Sequence, residues 1–207
     1  MLTVRNRDIK DFQRSDKTLK PARNFTQHSA VVNDVQWHPS MAKNWFGSVS
    51  DDKTFALMDL RNPTSARPAI TFKPHDDAVN TLAFHPKFET LLATGSADKT
   101  VVFSDLRFPG ESKIQTFEGH HDMVHKVEWH PHDSGILASS SADRRIIFWD
   151  LSKVGAEQSP EDAEDGPPEM YVLLHLSWRL TRANMTLQAL HAWRSHKPRI
   201  RLQLEPQ

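Results

Sequence analysis

A chain of 207 residues with 26 basic and 26 acidic side chains has no net charge at neutral pH, so no global field draws it to nucleic acid or to a membrane surface. Cysteine is absent, which excludes a disulfide scaffold, a thiolate metal site and a thiol nucleophile. No apolar run reaches the roughly 18 residues a membrane-spanning helix needs, and the polar start (Arg5, Arg7, Asp8, Lys10, Asp11) is no secretory signal, so a soluble intracellular protein is expected.

In chain order, Thr3 to Ile9 reads as the closing strand of a repeat, with Arg7 where an aromatic would close it, and residues 1–13 are assigned to that remnant. Three copies of one pattern follow, over residues 14–61, 62–107 and 108–151. Each has a histidine (His28, His75, His120), then an aromatic (Trp37, Phe84, Trp129) and a proline two residues later (Pro39, Pro86, Pro131). A run of small residues then ends in aspartate (Ser48 to Asp52, Thr94 to Asp98, Ser139 to Asp143), and a second aspartate closes the copy (Asp59, Asp105, Asp150). The histidines stand 47 and 45 residues apart, a period of repeat architectures.

Within each copy the apolar residues alternate. Val32, Val35 and Trp37 mark one strand, with Val79, Leu82 and Phe84 and then Val124, Val127 and Trp129 as counterparts. Leu91 to Thr94 and Ile136 to Ser139 read as short buried strands, followed by Thr100 to Phe103 and Arg145 to Trp149. Arg23 to Thr26, Ala69 to Phe72 and Ile114 to Phe117 supply an outer strand before each histidine. Short strands rich in Val, Ile, Phe and Trp, separated by Pro, Gly and Asp turns, predict antiparallel sheets rather than helices.

The third copy ends Ile147-Phe148-Trp149-Asp150, and the pattern resembles the WD repeats that form the blades of β-propellers. The expected fold is therefore all-β, a partial WD40 propeller of three complete four-stranded blades with a non-propeller C-terminal tail. The resemblance implies a buried network of histidine, serine or threonine, turn aspartate and tryptophan. His120, Ser139, Asp143 and Trp149 match all four positions; His75, Thr94 and Asp98 match three, with Ser104 at the fourth; His28, Ser48 and Asp52 match three, with Met58 at the fourth. The first two blades are accordingly expected to be looser than the third. A Ser-His-Asp set also fits a hydrolase, but one set per copy favours framework, because a triad is needed only once. The group His120, His121, His125, His130 and His132 could suggest metal, but strand spacing would scatter these side chains; no catalytic residue, metal or cofactor is expected.

After Asp150 the pattern stops. Residues 152–170 form an acidic loop, in which the span Glu157 to Glu169 holds Glu157, Glu161, Asp162, Glu164, Asp165 and Glu169 and no base, with Gly166-Pro167-Pro168 near its end. Leu151 to Glu169 resembles a loop of the retinoblastoma-binding-protein-like histone chaperones, the WD subunits of type B histone acetyltransferase, chromatin assembly factor and related complexes. Asp143-Arg144-Arg145 fits the same family, and His28 to Gln36 and Thr18-Leu19-Lys20-Pro21 are similar to its fungal acetyltransferase-subunit branch. That family is a seven-bladed propeller whose acidic loop, with an N-terminal helix, grips a helix of histone H4. The resemblance implies arginine contact for Glu161, Asp162 and Asp165, with Glu157 and Glu164 as outer steering charges. It also implies a histone H3 site on the flat face, where Asp51 and Asn80 match and Asn33 and His125 depart from the family pattern. Partners would be histones H4 and H3 and an acetyltransferase catalytic subunit or other chromatin-complex subunits, with no nucleic acid or membrane and a nuclear and cytoplasmic location. A generic WD40 interaction scaffold without histone binding is the alternative.

Residues 171–207 carry Arg179, Arg182, Arg194, Lys197, Arg199 and Arg201 against the single acid Glu205. The expected repeat start is absent there. Codons compatible with Ala192 to Gln207, read one base later, can spell that start, so this tail is expected to be intron-derived or frame-shifted, disordered or weakly helical, and the chain a truncated and impaired form.

Overall fold

The computed structural model describes residues 4–6, 23–40, 44–61, 67–110, 112–156, 167 and 170–174. All of them belong to the unit Met1–Leu174. Strands β1 (Val4–Asn6) and β2 (Arg23–Phe25) pair as a two-stranded sheet. Three four-stranded sheets follow: β3 (Val32–Trp37), β4 (Trp45–Ser50), β5 (Phe55–Asp59) and β6 (Ile70–Phe72); β7 (Val79–Phe84), β8 (Leu91–Ser96), β9 (Val101–Asp105) and β10 (Lys113–Phe117); β11 (Val124–Trp129), β12 (Ile136–Ser141), β13 (Arg145–Asp150) and β14 (Met170–Leu174). Strand order within each sheet is sequence order and all pairings are antiparallel, so each is a meander. This is the predicted all-β fold, a partial and open propeller.

The third strands of the first two four-stranded sheets, β5 and β9, are buried because sheets lie against both of their faces. Phe55 to Met58 on β5 and every residue of β9 are buried. Between the first and second sheets pack Val49, Phe55, Leu82, Phe84 and Leu92; between the second and third, Ala93, Phe103, Val127, Trp129 and Leu137. The first interface leaves no room for a β-carbon on β4. One built on Gly47 would lie 2.7 Å from Phe84 Cζ and 2.8 Å from Phe55 Cε2. At the β4–β5, β8–β9 and β12–β13 turns, Lys53, Lys99 and Arg144 take the left-handed conformation, with φ of 70°, 74° and 66°.

The strand before each repeat histidine is an outer strand, as expected, but of the preceding sheet: β2 pairs with β1, β6 with β5 and β10 with β9. Each sequence repeat therefore crosses a sheet boundary, and the chain ties one blade covalently to the next. The same offset corrects the reading of the tail. Residues 171–174, assigned to a disordered or weakly helical segment, continue β14 and pair with β13 from Trp149↔Met170 to Arg145↔Leu174. The physical reason is that β13 would otherwise present an unpaired edge, and Met-Tyr-Val-Leu-Leu has the propensity to fill it. Residues 175–207 lie outside the described residues.

Candidate functional site

The repeat polar residues assemble into one network per blade. In the third, the Trp149 indole N–H donates to Ser139 Oγ at 2.9 Å, and Ser139 Oγ lies 2.7 Å from His120 Nε2. His120 Nδ1 lies 3.0 Å from Asp143 Oδ2. A carboxylate only accepts, so Nδ1 carries the proton, Nε2 accepts from the serine, and the chain runs in one direction from indole to carboxylate. Burial pushes the His120 imidazole below its ordinary value, against the opposing pull of Asp143. The Asp143 carboxyl is raised by burial but held lower overall by hydrogen bonds from the His121 backbone N–H, His120 and the Arg145 backbone N–H.

In the second blade His75 bridges Thr94 (2.9 Å) and Asp98 (3.0 Å). Among the described residues nothing replaces the indole there, and Ser104 Oγ is buried without a hydrogen-bond partner among them. Burial raises the Asp98 carboxyl, but hydrogen bonds from His75 and Thr100 outweigh it and hold the group well below the carboxylate range. In the first blade His28 bridges Ser48 (2.9 Å) and Asp52 (3.1 Å). Met58, at the tryptophan position, packs with Phe25 and Phe46 instead. The missing donor comes from a neighbour in sequence: Gln27 Nε2 donates to Ser48 Oγ at 3.0 Å. Gln27 stands beside the repeat histidine rather than at the tryptophan position, so no motif comparison points to it. Of the two incomplete networks, only the second lacks the donor.

One hydrolytic requirement fails in all three sets. Each serine or threonine is buried, at no more than 1% exposure, so no substrate atom can reach it. These residues are framework.

The first strand of each four-stranded sheet carries a bulge, at Asn33, Asn80 and His125. A bulge turns its extra residue out of the ladder. Asn33 Nδ2 thereby reaches Val79 O of the next blade at 2.9 Å and Asp51 Oδ1 at 2.7 Å, while Asn80 Nδ2 reaches Val124 O at 2.8 Å. The candidate H3-face residues Asp51 and Asn80 thus lie to either side of the Asn33–Val79 link, at the end of the strands nearest the β4–β5 turn. A deeper link joins three blades: Asp34 Oδ2 accepts from Thr81 Oγ1 (3.0 Å), the Leu82 N–H (3.2 Å) and Lys126 Nζ (2.8 Å).

At the opposite end stand the His-Pro steps. His38 Nε2 lies 2.7 Å from Glu89 O and His85 Nε2 lies 3.0 Å from Ser134 O, so each ties its turn to the next blade. His85 Nδ1 accepts from the Lys87 and Phe88 N–H groups, and His130 Nδ1 from those of His132 and Asp133. Burial pushes the His85 imidazole down. Among the described residues, no group of three or more His, Cys, Asp or Glu side chains is arranged to hold a metal. The H4-loop candidates Glu157, Glu161, Asp162, Glu164 and Asp165 lie outside the described residues. Their flanks are placed: Asp150 caps a short turn, Leu151–Lys153, through the Ser152 N–H at 3.1 Å, and β14 resumes at Met170.

Stacked four-stranded meanders held by a buried His, Ser or Thr and Asp framework define a non-catalytic protein-interaction scaffold. The model of the WD domain, G-beta repeat family matches residues 66–105 and 111–150. The chain therefore contains a WD40 repeat domain.

Proposed function

We propose that this chain works as an adaptor that binds other proteins through its loops and strand ends. The observation that carries this is the engagement of every repeat histidine in framework hydrogen bonds, which leaves the blade ends as the chemically varied surfaces. More specifically, we propose a histone-binding subunit of a chromatin acetylation, assembly or deacetylation complex, present in nucleus and cytoplasm. This reading rests on the similarity of Leu151 to Glu169 to the chaperone loop. Carboxylates of Glu161, Asp162 and Asp165 would meet arginines of a histone H4 helix, with Glu157 and Glu164 steering its approach. Asp51 and Asn80 would meet histone H3; since the Asn80 amide donates to Val124 O, its Oδ1 is the atom offered to a partner.

Pull-down of H3–H4 with the full chain and with Glu161→Lys, Asp162→Lys and Asp165→Lys combined tests the finer reading. Loss of histone capture by the triple variant supports it. Equal capture by both proteins leaves only the scaffold reading, since the loop acids would then be dispensable.

A further inference from the structure

Between the outer strands of the first two four-stranded sheets lies a notch of about 400 Å³. Thr71 to Lys73, at the end of β6, line one side of it, and Pro109, Gly110, Ser112 and Lys113, leading into β10, line the other. We propose that this notch binds a phosphoryl group carried on a side chain of a partner protein. The proposal rests on the adaptor reading but not on histone binding, since neither the acidic loop nor Asp51 and Asn80 take part in it.

The lining holds two ammonium groups and no carboxylate. The acid beside it, Asp105, directs its charge to Arg107 at 2.6 Å, while its N–H donates to Ser112 O at 2.8 Å. Asp105 therefore supports the wall without opposing an anion. The Thr71 hydroxyl donates to Phe55 O at 3.1 Å and offers an incoming anion no proton. Ser112 is 5% exposed, and its hydroxyl is the neutral donor that the notch presents beside the lysines. A phosphoryl group, with three oxygens and nearly two negative charges at neutral pH, matches two ammoniums and a hydroxyl. A carboxylate has one charge fewer and one oxygen fewer. A dianion also offsets the mutual repulsion of the two ammoniums, which a monoanion does only in part.

Both walls are held by their own sheets. Phe72 pairs with Phe55 across β5 and β6, and the two rings pack with centroids 5.2 Å apart. Lys113 pairs with Ser104 on β9, and the register shift between Lys113 and Gln115 bends the start of β10. Gly110 has nothing within 4 Å of an added β-carbon, so that rim of the notch is open to a partner. The lysines are not part of the repeat framework. Two residues before the repeat histidine stands Lys73 in this copy but Glu118 in the next, so the charge that selects an anion is particular to this pair of sheets.

The test is a titration of the ¹⁵N-labelled full chain with Ac-Gly-Ala-Gly-phosphoserine-Gly-Ala-Gly-amide, followed through the Ser112 and Lys113 amide resonances. Counterparts carry serine or glutamate at the centre, and inorganic phosphate and a hexathymidylate strand complete the set. The phosphopeptide should shift both amides and the serine peptide neither. Lys73→Gln and Lys113→Gln should each weaken the phosphopeptide at least about fivefold, and added salt should weaken it further. H3–H4 capture should be the same for these variants and the native chain, so failure of this site and failure of the histone reading show separately. Four results would overturn the proposal: no shift at millimolar phosphopeptide, equal binding by either folded lysine variant, equal binding of the glutamate peptide or the oligonucleotide, or inorganic phosphate binding as tightly as the phosphopeptide.

Discussion

Trp149→Phe tests whether the indole-to-carboxylate chain stabilises the third blade or only decorates it. Trp149 is fully buried, its ring lies 5.0 Å from that of Phe117, and its N–H donates to Ser139 Oγ at 2.9 Å. The smaller ring leaves a void costing about 1–2 kcal/mol. The lost hydrogen bond adds about 1 kcal/mol. A total of about 2–3 kcal/mol follows, and a double-mutant cycle isolates the polar part. Ser139→Ala in the native background orphans both the indole N–H and His120 Nε2. In the Trp149→Phe background it orphans only the imidazole. The two serine costs should differ by about 1 kcal/mol, read from urea unfolding at neutral pH by circular dichroism. A coupling below about 0.3 kcal/mol would show that the bond seen between these side chains contributes nothing, and the network argument would fail with it.

The second blade predicts the opposite sign. Ser104→Ala removes a buried hydroxyl that has no partner and should raise stability by about 1 kcal/mol in the same urea assay; destabilisation would mean that the hydroxyl is satisfied. Gly47→Ala should cost about 1–3 kcal/mol through overlap with Phe84 and Phe55. Gly110→Ala, with nothing within 4 Å of the added carbon, should cost far less, so equal losses would refute the close approach of the first two blades. Acid should act in two stages, followed as Tm against pH. His85 and His120 are held below their ordinary values, so the stability they contribute is lost as pH falls below about 6.5, where the unfolded chain takes up protons first. Asp52, Asp98 and Asp143 are also held low, so a second and steeper loss should begin below about 4. A Tm that stays flat from neutrality down to that second stage would contradict the burial of the two histidines.

The sequence by itself determined most strands and turns and the histidine, serine or threonine and aspartate of each polar network, because these are written in a repeated pattern. Alternation at Val32, Val35 and Trp37 locates an inner strand, and Asp52, Asp98 and Asp143 each accept from the backbone two residues on. It also showed Ser104 standing where a donor belongs. What it could not show is how the blades meet, since those contacts join residues 44 to 92 apart along the chain. Only the assembled sheets decide that Gln27 takes the place of an indole. Only they give the strand before each repeat histidine to the preceding blade, and draw residues 171–174 onto β13. A repeat makes the copies locally alike, but its position in the stack sets which faces are already occupied, and so which side chains remain for a partner.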